Sequence, residues 1–244
     1  MARAKLKKIT LIISRSDVAN VLRELILLGC VEVSEPAELR EDEELADFFK
    51  REDADIESCR ADFDVITAGI EILEKYVPFV DKKTKTRQRY TFDDLLYEFD
   101  TESCLRLSKT LGALDEMMPT LQAEEKEDML AKVYAASEMR EALHLSYDHF
   151  TVRLALAQAV DRLLGTDYTV VLTGWVLSSY ESELVDRLSS YVCAWDIRKP
   201  FDDEYDSIPA LSGGGGLFSK HSREDEKLFT PLAIDTKYID VIGD

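Results

Sequence analysis

The two ends of this chain repeat one pattern, and that repeat limits its fold more than any other feature. Residues 6–13 (LKKITLII) are β-branched and apolar enough for a buried strand. After polar residues 14–17, Val18, Val21, Leu22, Leu25 and Leu28 follow helical spacing. Gly29 ends that helix, since glycine enters the left-handed C′ position without a Cβ penalty. Residues 30–34 (CVEVS) alternate like a strand, and Pro36 closes the unit. The order then returns near the far end. Residues 168–176 (YTVVLTGWV) read as a strand, and Ser178 and Glu181 have the spacing of a capping box. Leu184, Val185 and Leu188 give the next helix its apolar face, and residues 191–197 (YVCAWDI) form the closing strand before Pro200.

Neither β-α-β unit alone covers both its helix and its sheet, so the two ends are expected to fold together as a split β-α-β, ferredoxin-like head. What lies between is strongly helical. Leu45, Phe49, Ile56, Cys59, Phe63, Ile66, Ile70, Leu73 and Val77 alternate spacings of three and four up to Pro78, with Glu52 filling a seam position badly. After the basic loop 81–89 (DKKTKTRQR), Phe92, Leu95, Leu96 and Phe99 resume the pattern, with Asp100 or Thr101 placed to cap the chain again. Cys104, Leu107, Leu111, Leu114 and Met118 carry it on to Pro119. A third stretch, 121–164, puts Met129, Val133, Ala136, Leu143, Tyr147, Phe150, Leu154, Ala157 and Leu164 on a heptad grid that Arg140 and Asp161 interrupt. Helices of some 35 residues reach about 50 Å, so they are expected to pack as antiparallel neighbours in a rod. The expected fold is α+β: an α/β head from residues 1–36 and 166–208, a coiled-coil stem inserted at 37–165, and a Gly-rich linker and tail at 209–244.

Composition narrows the function. A formal charge of -19 and a pI near 4.6 oppose nucleic-acid binding, which needs a concentrated basic surface. Residues 3–8 are basic, whereas 35–74 are dominated by Asp and Glu, as on a solvated helix face. The four cysteines (Cys30, Cys59, Cys104, Cys193) form no Cys-x-x-Cys pair and read as free thiols. Residues 9–13 are too short an apolar run for a signal peptide, and no stretch approaches the roughly 18 apolar residues of a membrane helix. A soluble chain with no direct membrane insertion is expected.

No residues stand out as catalytic, cofactor-binding or metal-binding. His144 and His149 are five apart on a helix, which diverges from the i, i+4 pairing of two metal ligands, and His221 lies in a Gly-rich tail. Asp62 with Asp64, and Asp93 with Asp94, point in different directions and make no general acid/base pair. On heptad-patterned helices the carboxylates are expected outside. Residues 213–216 are all glycine, but no strand feeds them and no Lys-Ser or Lys-Thr follows at P-loop spacing. The loop 82–89 lacks an aromatic platform and reads as an interhelical turn, with a protein contact as its next role.

Residues 1–36 (MARAKLKKITLIISRSDVANVLRELILLGCVEVSEP) resemble the opening of subunit I, also called subunit a, of V-type and A-type rotary ATPases. In that family a basic strand, a short helix, an L-G-C-V-E-V-like strand and a long coiled coil come in this order. Residues 145–188 are similar to the family's returning helix, with its Tyr-Asp pair (Tyr147, Asp148), and to its L-x-G-W-V-P strand. Leu172, Gly174, Trp175 and Val176 match that strand, and Leu177 replaces the proline. These blocks span most of residues 1–208.

The resemblance implies a non-enzymatic stator part. The family's cytoplasmic portion is a dumbbell of proximal lobe, helical hairpin stem and distal lobe. Peripheral stalks (E–G heterodimers) hold it against rotor torque. Proton or sodium passage occurs in a separate membrane domain with an essential arginine, which this chain lacks. Two departures stand out. Residues 118–131 leave almost no room for a distal lobe, and residues 226–244 (EKLFTPLAIDTKYIDVIGD) are similar to the opening of that lobe, displaced behind SGGGG (212–216). An engineered or rearranged cytoplasmic fragment is the expectation. Because ferredoxin-like repeats also build small-molecule sensors, a ligand-sensing module with a coiled-coil arm is the alternative.

Overall fold

The computed structural model describes residues 6–36, 39, 41, 47–78, 87–202, 204, 208–209 and 228–242. In chain order the elements are β1 (Leu6–Ser14), α1 (Val18–Leu28), β2 (Val31–Ser34), β3 (Lys50–Arg51), α2 (Ile56–Tyr76), β4 (Arg89–Thr91), α3 (Thr101–Met117), α4 (Ala123–Ala136), α5 (Arg140–Val160), β5 (Leu164–Gly165), β6 (Thr169–Leu177), α6 (Glu181–Leu188), β7 (Cys193–Arg198) and β8 (Asp240–Ile242). The protein is α+β, in two compact units. A sheet unit comprises Met1–Ala54 and Gln158–Ile234, and a helical unit comprises Asp55–Ala157 and Asp235–Asp244.

In the sheet unit the two chain ends share one sheet. β1 runs antiparallel to β6 over its whole length, from Leu6 opposite Leu177 to Ser14 opposite Thr169. Its other side pairs antiparallel with β7. β2 and β5 both lie antiparallel along the outer side of β6, β2 against residues 173–176 and β5 against 170–171, and β3 extends beyond β5. The order is therefore β7-β1-β6-β2, with β5 sharing β2's position. Alternation decides the faces: Ile9, Leu11 and Ile13 are fully buried, while Ile12 between them is 48% exposed. α1 buries Val21, Leu22, Leu25 and Ile26, and α6 buries Leu184 and Leu188. Burying each such side chain contributes about 1.5–3 kcal/mol. Gly29 has φ 62°, and its N–H closes on the Leu25 carbonyl, as the sequence predicts.

The junctions of the two repeats match more closely than expected. Each strand passes straight into its helix through a three-residue 3₁₀ turn, Arg15–Asp17 after β1 and Ser178–Tyr180 after β6. This corrects the expected capping box. α6 opens at Glu181, so Glu181 is not three residues inside a helix that Ser178 caps, and its carboxylate pairs with Lys7. Opposite the helices, Leu6 and Trp175 pack with Phe229 of the C-terminal segment. Glu204 accepts from Arg198 Nη1 and Nη2 at 2.6 and 2.7 Å and from Lys8 at 2.7 Å, and the Arg198 fork holds its carboxyl well below the ordinary range.

The helical unit differs from the expected rod. Ile66, Ile70, Leu73, Cys104, Leu111, Val133, Leu143 and Phe150, drawn from α2 to α5, form one core. The longest helices have 21 residues, about 32 Å, not the expected 35. α2 and α3 also run parallel rather than antiparallel. Gly69 faces Ser108, and six to seven residues further along both helices Lys75 and Tyr76 reach Asp115 at 2.6 Å. An antiparallel pair would bring rising numbers on one helix against falling numbers on the other. The long connection between α2 and α3, residues 77–100, permits the parallel sense.

Several boundaries also move. The seam expected from Leu45 starts at Ile56, because Asp55 caps α2 by accepting from the Ser58 N–H at 3.1 Å. Lys50 and Arg51 instead pair with β5; Leu45 lies outside the described residues. The stretch from 121 to 164 is broken at Ser137–Met139. There Ser137 Oγ donates to the Tyr134 carbonyl at 2.6 Å, the local competition that makes serine a poor helix-interior residue. Arg140 then turns inward and donates to the Val77 carbonyl at the end of α2. Leu164 belongs to β5 and not to a helix. Asp100 does cap α3, accepting from the Glu102 N–H at 3.1 Å.

Gly69 is where α2 and α3 come closest. A Cβ there would lie 2.4 Å from Ser108 Oγ and 2.9 Å from Ser108 Cα. Gly69→Ala is expected to cost about 2–3 kcal/mol by forcing the helices apart, measured as a lower urea midpoint. Ser108→Gly in the same chain should restore part of the loss, and an unchanged midpoint for the single variant would rule out this contact.

Candidate functional site

α5 places His144, Tyr147 and Asp148 at i, i+3 and i+4, so their side chains share one face. Asp148 is fully buried. Its carboxylate accepts three consecutive backbone N–H groups, from Lys237 at 2.6 Å, Tyr238 at 2.7 Å and Ile239 at 2.9 Å. Burial pushes its pKa above the ordinary carboxylate value, against these amide bonds and the Arg87 charge, which favour the ionised form.

Beside the carboxylate is a stack of rings. His144 lies flat on Tyr238, with centroids 3.8 Å apart and planes 4° from parallel. Tyr147 meets Tyr238 edge-on at 5.5 Å and Phe63 at 5.0 Å. Lys237 Nζ lies 4.9 Å from the Tyr238 centroid and 5.4 Å from that of Tyr147, a cation–π arrangement. Burial, then the Arg140 and Lys237 charges, lower the His144 pKa to about 4, so the stacked ring is neutral near pH 7. The captured segment also adds a strand. β8 runs parallel to β4, Arg87 donates to Asp240 at 3.3 Å and to the Lys237 carbonyl, and Thr236 Oγ1 donates to the Ile239 carbonyl at 2.8 Å.

His149 serves the core instead. Its Nδ1 is 2.7 Å from the Leu95 carbonyl, which can only accept, so Nδ1 carries the proton. Leu95 lies in a π-helical turn, Asp94–Glu98. Nε2 of His149 is buried with no hydrogen-bond partner, and burial lowers the pKa of the ring. The two histidines therefore have separate surroundings, as their spacing predicts.

A similar capture occurs in the sheet unit. Glu32, 2% exposed, accepts the Thr230 N–H at 2.8 Å, and the Leu232 N–H donates to the Val31 carbonyl at 2.7 Å. Each unit therefore uses a buried carboxylate to hold backbone of the C-terminal segment. This corrects the expectation that helix carboxylates lie outside, because the backbone donors replace the water that Asp148 has lost.

The chain matches no known protein-family model and no curated protein. Among the described residues, no group of three or more His, Cys, Asp or Glu side chains is placed to hold a metal ion, and no helix is long and apolar enough to cross a membrane. Asp94 takes part in a turn, accepting the Thr91 N–H at 3.2 Å while Thr91 Oγ1 accepts the Asp94 N–H at 3.1 Å. All four cysteines are free thiols, and burial raises the Cys30 pKa to about 11. His221, residues 213–216 and residues 82–86 lie outside the described residues. Arg87, at the end of that basic loop, makes a protein contact within its own chain. The arrangement sets fixed carboxylate acceptors for backbone N–H groups beside the His144 and Tyr147 rings.

Proposed function

We propose that the chain is a non-catalytic stator part of a V-type or A-type rotary ATPase, the cytoplasmic portion of subunit I (subunit a). In this reading the sheet unit is a ferredoxin-like head at the cytoplasmic face of the membrane complex. The helical unit, inserted between β2 and β6, is the arm. Together they link peripheral-stalk E–G heterodimers to the membrane sector and resist rotor torque. The chain thereby supports proton or sodium transport coupled to ATP, without carrying ions or catalysing. The pairing of β1 with β6 along their full length is the observation that carries the reading, because it joins the two sequence blocks that resemble the family in one sheet. The strand order β7-β1-β6-β2 supports a split β-α-β head. The arm of this reading is a compact four-helix arrangement rather than a two-helix rod.

The experiment is a pull-down with a purified peripheral-stalk heterodimer at physiological salt. Retention of the stalk is expected, and its release by excess untagged chain would show that the contact is specific. If the stalk flows through at every concentration tried, this assignment fails.

A further inference from the structure

The captured segment has the properties of a bound ligand. Its contacts to the helical unit are the kind a separate peptide can make: backbone N–H groups on Asp148, an aromatic ring on His144, and a strand added to β4. Thr236 Oγ1 closes the segment's own turn onto Ile239, so part of the bound conformation is set within the ligand itself. The charges also complement each other. Lys237 of the segment lies over Tyr147 of the receiving side, and Arg87 of the receiving side bonds Asp240 of the segment. The socket thus receives a lysine, an aromatic residue, an aliphatic residue and an acid in succession, with three backbone N–H groups bound.

We propose that His144, Tyr147 and Asp148, with the edge of β4, form a peptide-binding site, and that residues 235–242 are its exchangeable resident. A peptide of the same Lys-aromatic-aliphatic-Asp class binds there in trans when the resident leaves. A tethered occupant competes at an effective concentration on the order of millimolar. The wild-type chain therefore hides the site, and weakening the resident uncovers it. This inference does not depend on the stator assignment, which can fail in its pull-down without affecting the socket.

The test uses the full chain and a fluorescein-labelled synthetic peptide of residues 235–242, followed by anisotropy. Weak binding to the wild-type chain is expected. Tyr238→Ala, which removes the stacked ring from the resident alone, should tighten peptide binding about tenfold or more. Adding Asp148→Asn to Tyr238→Ala should reduce that gain, because the acceptor belongs to the socket and the amide keeps only one of its two oxygens. Thr236→Ala opens the resident's turn without touching the socket and should also tighten binding. It keeps the test decisive if Tyr238→Ala reduces the folded fraction seen by circular dichroism. Equal binding to the wild type and both resident variants overturns the proposal. So does binding of a scrambled peptide as tight as that of the native sequence, or a gain that Asp148→Asn leaves undiminished.

Discussion

Asp148→Ala is expected to free residues 237–239 from the helical unit and lower its stability by about 3 kcal/mol. Hydrogen bonds to a charged group contribute about 1.5–3 kcal/mol each, and Asp148 accepts three. The full sum is not reached, because the freed N–H groups can regain water if the segment lifts away. The loss is then set by what lifting uncovers, chiefly Ile239, 4% exposed, and the Tyr238 ring on His144. Hydrogen exchange at the amides of 237–239 and urea unfolding measure the two parts. Asp148→Asn keeps one acceptor oxygen and should fall between. Amide protection equal to wild type in the alanine variant would show that Asp148 does not hold the segment.

Acid should loosen the same unit. His144 has a folded-state pKa near 4, against 6.5 for an ordinary histidine. The unfolded chain binds this proton first, so the contribution is fully present above about pH 6.5 and is lost as the pH falls towards 4. The expected loss is about 2–3 kcal/mol, after allowance for the partial exposure of the ring. His149, also lowered by burial and by the Arg153 charge, adds loss of the same sign. Asp148, raised by burial, acts oppositely and returns part of the loss at the acid end. Around His144, the Arg140 and Lys237 charges disfavour its protonation and Glu141 favours it. Thermal unfolding at pH 7 and pH 4.5 tests this against His144→Phe, which keeps a ring for the Tyr238 stack and has no proton to gain. The variant should lose clearly less than the wild type. An equal drop in both would place the acid sensitivity elsewhere.

The long elements were legible in the sequence because the helices carry their own period and the long strands are continuous apolar runs. The runs 6–13 and 168–176 predict β1 and β6, and the repeat predicts that they share a sheet, which they do. Gly29 is legible because its left-handed turn requires glycine. β3 and β5 were not, since two residues each, Lys50–Arg51 and Leu164–Gly165, are too few to show any alternation. The sense of α2 against α3 was also hidden. A heptad seam shows that a helix face is buried but not which way its neighbour runs, and Gly69 against Ser108 settles that only in three dimensions. The break near Arg140 did leave a trace, because a charged residue interrupted the grid where the helix restarts.

The socket left a fainter trace. Asp148 lies between Leu145 and Val152, three residues before and four after, both of them buried, so a carboxylate was written into an apolar stripe. Charge alone suggested that it should face outward. Its partners are backbone N–H groups of residues 237–239, and backbone donors carry no sequence signature. No reading of α5 alone could therefore have found them.

The buried carboxylate also sets an order in time. Asp148 precedes Lys237 by 89 residues, so at ribosomal rates on the order of 10 s pass between the synthesis of the two. Throughout that interval α5 can form, yet its inward aspartate has only water to bind. Glu32 waits still longer for Thr230, 198 residues later. In both units, then, a carboxylate must wait for residues made much later before its backbone partners can reach it.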